Sequence, residues 1–264
     1  MRWMLAFLFW LSTFDVIAAP TAYDPSHTAW NRLLSVHVDW NVAGTATTVD
    51  YAGFARDSAA LRGYLQSLST VTEAQFRQWP LADREAFLIN AYNAATIQLI
   101  LTRYPKLHSI KDLGGLLSSP WKQAFVPLLG KTRSLDDIEH GLLRGDPGYG
   151  DPRIHFAANC ASVGCPALRP EAYLGQRLRT QLEDQTRRFL RDRSRNRLDA
   201  GTLQISKIFD WYGRDFANQG GVSAFLARYP DALGLDAGAS DRLRRGQLSI
   251  TYLDYDWSLN LKQP

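Results

Sequence analysis

Cysteine is scarce in this chain: 264 residues carry two, Cys160 and Cys165, both within "RIHFAANCASVGCPALRPEAY". The cysteine and histidine spacing matches no zinc template such as paired CxxC units, and no metal is expected. A GxSxG elbow, an HExxH pair, a Walker loop and a GxGxxG fingerprint are all missing. Their absence removes the easily recognised serine hydrolases, zincins, P-loop NTPases and dinucleotide enzymes, and no cofactor is expected. No internal repeat, low-complexity tract or dividing linker interrupts the chain, so one mature domain over residues 19–264 is the reading. No helix with a basic reading face or stacking motif points to nucleic acid. The long hydrophobic run needed for a membrane span, about 20 residues, is missing too.

What the chain does have begins with its first segment, "MRWMLAFLFWLSTFDVIAAPTA". Arg2 supplies a short positive start, Met4 to Phe14 an apolar run, and Ala18 and Ala19 the small residues that follow. This is the layout of a secretory signal peptide, with cleavage expected after Ala18 or, as the alternative, after Ala22. The mature protein is then expected in the periplasm or outside the cell, with no transmembrane anchor. The net charge of +4 comes mostly from arginines between Arg179 and Asp199, where both signs mix as on a solvated helix face. The 8 Trp and 11 Tyr suit a well-packed interior or an aromatic-lined cleft.

Apolar periodicity predicts helices over "HTAWNRLLSVHV", "DSAALRGYLQSLSTV", "SLDDIEHGLLR", "KIFDWYGRDF" and "VSAFLARYP", and a long one from near Pro170 through "RTQLEDQTRRFL". "LADREAFLINAYNAATIQLILTRYP" is apolar nearly all round and predicts a central buried helix running to Tyr104. Ser134 is expected to cap the "SLDDIEHGLLR" helix, with Asp137 reaching back. Alternation of Ile154, Phe156 and Ala158 with His155, Ala157 and Asn159 predicts a strand. "TTVDYAGF" reads as short and β-like, "RLDAGTLQIS" as a hairpin turning at Ala200-Gly201, and "LSITYLDYDWSLN" as a strand and extended tail. The fold class is α+β: a mostly helical single domain with a small β-sheet.

The cysteine segment holds the chemistry. A thiol at a helix N-terminus beside an imidazole has a lowered pKa and usable nucleophilicity, and Cys165-Pro166 is expected to open a helical turn. Cys160 or Cys165 is then a candidate nucleophile, with His155 or His140 as base. A separation of five residues also lets a turn bring the two into disulfide range, and exported proteins ordinarily pair such cysteines. Glu139 and His140 are adjacent on a helix and point about 100° apart, so one is expected to face a pocket while the other orients a neighbour. Asn90 and Asn93 share a face of the apolar helix and need partners there, since an unpaired buried amide costs on the order of 1–3 kcal/mol. They are expected to clamp a loop, the cysteine turn being the natural one. Lys207, Asp210 and Asp215 lie among aromatics, where the two carboxylates could pair or serve as caps and ion-pair partners.

Taken together, "AFLINAYNAATIQLIL", "SLDDIEHGLLR", "DPRIHFAANCASVGCPAL", "ISKIFDWYGRDF" and "YLDYDWSLN", with the weaker "VDYAGF", resemble the family of domains of unknown function numbered 547. The resemblance spans about residues 30–260. It implies a single domain, often exported in bacteria, with no established activity. The positions it carries over are Asn90, Tyr92, Asn93, Glu139, His140, Arg153, His155, Cys160, Cys165, Pro166, Trp211 and Tyr212.

Two functions follow. In the first, a thiolate of Cys160 or Cys165 attacks an envelope amide or ester, His155 or His140 shuttles the proton, and Glu139 or an asparagine orients the imidazole. In the second, a Cys160–Cys165 disulfide braces a non-catalytic envelope module. That module binds a small molecule or envelope component through a cleft of Asn90, Tyr92, Asn93, Arg153, Trp211 and Tyr212.

Overall fold

Helix α5, Leu81–Leu101, is the axis around which the rest is laid. The computed structural model describes residues 22–115, 118–145 and 149–262; the expected leader, Met1–Ala18, lies outside them. Fifteen of the 21 residues of α5 are buried, so it has no solvent face to keep polar. Each large apolar side chain it buries contributes about 1.5–3 kcal/mol. It ends at Leu101, three residues short of the expected Tyr104, in the turn leading to Pro105.

Before the axis come α1 (Thr28–His37), a hairpin of β1 (Val38–Trp40) and β2 (Thr47–Val49), then α2 (Tyr51–Arg56), α3 (Ser58–Ser69) and α4 (Glu73–Gln78). Trp30 of α1 stacks on Tyr64 of α3, ring centroids 5.7 Å apart. After the axis, a hairpin of β3 (Val126–Leu128) and β4 (Lys131–Arg133) leads into a π-helix, Asp137–Leu143. The expected Ser134 cap is present: Asp137 N–H donates to Ser134 Oγ at 3.0 Å, and Ser134 N–H to Asp137 Oδ2 at 2.8 Å.

Two expectations fail in the next stretch. Residues 154–159 form no strand; Pro152–Phe156 is a 3-10 turn, capped by Asp151, whose Oδ1 accepts from Arg153 N–H at 3.0 Å. Proline suits a first helical turn, and the alternating apolar residues serve two separate hydrophobic clusters instead of one sheet face. Ile154 and Ala157 enter the cluster built on α5, while Phe156 enters a second cluster with Phe189, Phe209, Phe216 and Phe225. Nor does Cys165-Pro166 open a helix. The long helix α6 is Leu178–Arg191, preceded by a 3-10 turn at Gly175–Arg177, and starts eight residues after Pro170. Side chains hold the intervening backbone from the side: Gln185 Nε2 donates to Ala167 O and Gln181 Nε2 to Ala172 O. Carbonyls already satisfied this way do not need a helical ladder.

The chain ends with β5 (Arg197–Asp199) and β6 (Thr202–Ile205), short helices α7 (Ile208–Trp211), α8 (Gly221–Leu226), α9 (Pro230–Leu233) and α10 (Ala237–Arg244), and β7 (Ile250–Tyr252). Strand β6 pairs antiparallel with β5 and parallel with β7. The hairpin turns where expected, with Ala200 at φ 45° and Gly201 at φ 80°, the left-handed pair of a type I′ connection. The fold is thus mostly helical α+β, its strands divided among three small sheets. Among the described residues no helix is long and apolar enough to cross a membrane.

Candidate functional site

The cysteine turn is fixed before its sulfurs are considered. Asn93 on α5 donates from Nδ2 to Ala157 O at 3.0 Å and accepts from Asn159 N–H at 2.8 Å. Asn159 in turn donates to Pro166 O at 2.7 Å and accepts from Ala161 N–H at 2.9 Å. Those bonds hold Ala161 at φ 64°, a left-handed conformation that a residue with a Cβ enters only at a cost of about 1–2 kcal/mol. The far side of the turn carries the C-terminal tail: Val163 N–H donates to Ser258 O and Gly164 N–H to Asp256 O, both at 2.8 Å. A Cβ at Gly164 would lie 3.0 Å from Asp256 O and from the Tyr255 ring, so any side chain there would push the tail outward by a few tenths of an ångström.

Within this turn Cys160 and Cys165 are joined as a disulfide, their Cα atoms 6.1 Å apart. Tyr255 Oη donates to Cys165 Sγ at 3.1 Å and lies 3.2 Å from Cys160 Sγ. The disulfide forms part of the wall of a cleft of about 230 Å³. Opposite it stand Tyr92 of α5, Trp121, Asp136, Glu139 and His140, with Trp211, Tyr212, Tyr255 and Trp257 closing the rim. The cleft lies on the seam between the two hydrophobic clusters, which is why both halves of the chain reach it.

The π-helix and Asp136, the residue before it, bring in three of these groups together. Asp136, Glu139 and His140 occupy i, i+3 and i+4, one stripe of a helical surface. Glu139 and His140 therefore both line the cleft, contrary to the expected division of labour. Its wide turn closes with Arg144 N–H on Glu139 O at 2.9 Å; such turns recur at functional sites. Glu139 is 7% exposed and accepts from Tyr212 Oη at 2.8 Å. Burial, reinforced by the Glu139 carboxylate, keeps the Tyr92 and Tyr212 phenols protonated far above the ordinary tyrosine range. Burial does the same for Tyr255.

A second polar chain runs behind the wall. His155, only 4% exposed, stacks on Tyr212 with centroids 3.9 Å apart and bonds through Nε2 to Asp215 Oδ2 at 2.7 Å. Arg144 forks onto Asp215 through Nε at 2.5 Å and a terminal nitrogen at 3.0 Å, and also contacts His140 Nδ1. The His155 hydrogen bond, followed by that of Arg144, holds the Asp215 carboxyl well below the usual carboxylate range, and Arg144 is raised in exchange. Committing Nε2 to a carboxylate fixes the imidazole orientation.

Of the residues singled out from sequence, Cys160, Cys165, His155, His140, Glu139, Tyr92, Trp211 and Tyr212 line this one cleft. Asn90, Asn93 and Arg153 do not. Asn90 exchanges bonds with the Tyr173 backbone, donating at 2.7 Å and accepting at 3.0 Å, so both asparagines are clamps flanking the cysteine turn. Arg153 is spent on Asp151 and Glu183. Asp210 and Asp215 are not a carboxylate pair: Asp210 meets Lys207 at 3.0 Å, and Asp215 serves His155 and Arg144. Sequence reasoning passed over Trp121, Asp136, Tyr255 and Trp257. The last two stand in "YLDYDWSLN", whose clustered aromatics were a usable signal; Trp121 offered none.

A family model described as "Protein of unknown function, DUF547" matches residues 76–190. Over those residues the chain is similar to that family. No curated protein and no solved structure matches the chain. The DUF547 segment is shorter than the resemblance expected from sequence. It supplies α5, the π-helix and the disulfide turn, whereas Trp211, Tyr212, Asp215, Tyr255 and Trp257 lie beyond it.

Proposed function

We propose that this protein is an exported envelope module that binds a small molecule in the cleft beside Cys160–Cys165, with the disulfide as a brace. The observation that supports this most is the bonded state of the two sulfurs inside a preformed aromatic cleft. A sulfur in a disulfide is not a thiolate and cannot attack a carbonyl. The volume fits a compact ligand: about 150 Å³ of apolar cavity takes a benzene ring, and this cleft offers about 230 Å³. A second reading has its own support: His155, which lines the same cleft, is hydrogen-bonded to Asp215 behind it. On reduction by an external thiol, Cys160 or Cys165 would become a nucleophile for an amide or ester with His155 as base.

Alkylation of native protein followed by mass spectrometry separates the two readings. The binding reading expects no label on either cysteine before reduction. It also expects that fragments detected by ligand-observed NMR on the wild type still bind a Cys160→Ser/Cys165→Ser variant. A labelled thiol in native protein would defeat it in favour of thiol chemistry, and hits that vanish with the cysteines would show that the disulfide itself, and not the aromatic lining, holds the ligand.

A further inference from the structure

We infer that the cleft selects an organic cation, a substituted ammonium group on a small apolar body; this rests on the binding reading above. The charge of the lining carries the argument. Among the described residues that line it, Asp136 and Glu139 are the acidic ones and none is a lysine or arginine; its histidines are His140, whose Nε2 lies 3.8 Å from Asp136 Oδ1, and His155, which is bonded to Asp215. An anion would face two carboxylates with no lysine or arginine among the lining residues. A neutral apolar ligand would leave Glu139, which is 7% exposed, buried against it, and burying a carboxylate without a countercharge is costly. Arg144, the nearest guanidinium to this chain of groups, has its charge matched by Asp215 behind the wall.

The walls complement the same ligand. Tyr92, Trp121, Trp211, Tyr255 and Trp257 present aromatic surface to the cleft, and ring faces attract cations, most strongly when water is excluded. The protein's own cations already use this property at the border of the site: Lys111 Nζ lies 3.8 Å from the Trp257 ring centroid, and Arg144 Cζ 4.8 Å from that of Tyr212. Tyr212 stacks on His155 and contributes its hydroxyl to Glu139. Trp211, with 43% of its surface exposed, has apolar area still to be covered. It stands 4.8 Å from Tyr255 and 5.6 Å from Trp257, centroid to centroid, so the three rings pack together as one aromatic wall of the cleft. A quaternary ammonium suits it, being cationic, weakly hydrated and apolar at its periphery.

Isothermal titration of the full protein with choline, with its neutral isostere in which carbon replaces the nitrogen, and with glucose tests this. Choline is expected to bind at least about tenfold more tightly than either neutral probe. Glu139→Gln and Trp211→Ala, each checked for native circular dichroism, are expected to bring the choline-to-isostere ratio toward one. Trp211 is exposed enough for its loss to leave folding intact. Equal binding of choline and the isostere overturns the cation assignment while the small-molecule reading stands. Tighter binding of glucose overturns it in favour of a sugar site. Absence of choline binding overturns it as well, and the fragment screen then decides separately whether the cleft binds anything.

Discussion

Replacing both cysteines by serine isolates what the disulfide contributes. The bond closes a short loop, its ends 5 residues apart. For a loop of about six residues, lost chain entropy in the unfolded state amounts to roughly 2 kcal/mol. The contacts at the sulfurs add little to this, because a serine Oγ can accept from Cys160 N–H and Tyr255 Oη as the sulfurs do. The turn also retains its other supports: Asn93, Asn159 and the backbone of residues 256–260. Cys160→Ser/Cys165→Ser should therefore fold and lose about 2 kcal/mol, which for a chain of this size lowers the melting temperature by about 4–8 °C. Thermal unfolding followed by circular dichroism, with and without reductant, measures it; reductant should shift the wild type and leave the variant unmoved. A loss above about 5 kcal/mol would mean that the bond, and not the asparagine clamp, builds the turn. No loss would mean that the native cysteines are unpaired, which restores the thiol mechanism.

Two further outcomes follow from buried charge. Burial, with Asp151 adding to it, pushes the Glu85 carboxyl up to about 8. A carboxyl raised above its unfolded value costs nothing below about pH 4.5 and destabilises progressively as pH rises toward 8. Glu85→Gln should thus gain on the order of 3–5 kcal/mol over the wild type in urea unfolding at pH 9 and show no gain at pH 4. A pH-independent difference would refute the assignment. Asp215 has the opposite sign: its depressed carboxyl contributes stability above about pH 4 that is lost as pH falls. Asp215→Asn should cost about 1–3 kcal/mol at pH 7 and less than half of that at pH 2; an equal cost at both would show that the ion pair is not what matters.

Legibility from sequence followed the strength of local signals. The axis α5 was readable because a helix apolar on every side has few other homes than a core, and Asn90 and Asn93 were readable as clamps because a buried amide must find a partner. The Ser134 cap and the Ala200-Gly201 turn were readable because their chemistry is local. Helix α4 was passed over although Thr72 and Gln75 form a complete capping box, since six residues give too little periodicity. The false strand at 154–159 had the correct alternation, yet Ile154 and Phe156, on one side of that alternation, pack into different clusters. Period alone does not say whether residues of one apparent face belong to one sheet or to two cores. The late start of α6 has a similar origin: residues 166–174 look helical until Asn159, Gln181, Gln185 and Asn90 bond to their backbone from outside.

For the site, local reasoning found the floor and tertiary contact supplied the walls. His155, Cys160 and Cys165 fall in one short segment, so their proximity needed no fold. Asp215 lies 60 residues from His155 and Tyr255 lies 90 from Cys165; only the seam between the two clusters brings them in. The DUF547 match stops at residue 190, before every one of those partners. A fragment restricted to 76–190 would hold the disulfide turn and Glu139 but neither the carboxylate that orients His155 nor the rings of Trp211, Tyr212, Tyr255 and Trp257. The matched segment therefore holds only part of the cleft lining. Four of the aromatic residues that line the cleft, Trp211, Tyr212, Tyr255 and Trp257, come from the last third, where the tail from Tyr255 to Asn260 is laid across the turn by backbone bonds to Ala161, Val163 and Gly164. Backbone bonds constrain the path of that tail more than the identity of its side chains, so the rim can change its aromatic residues while the turn beneath it stays as it is.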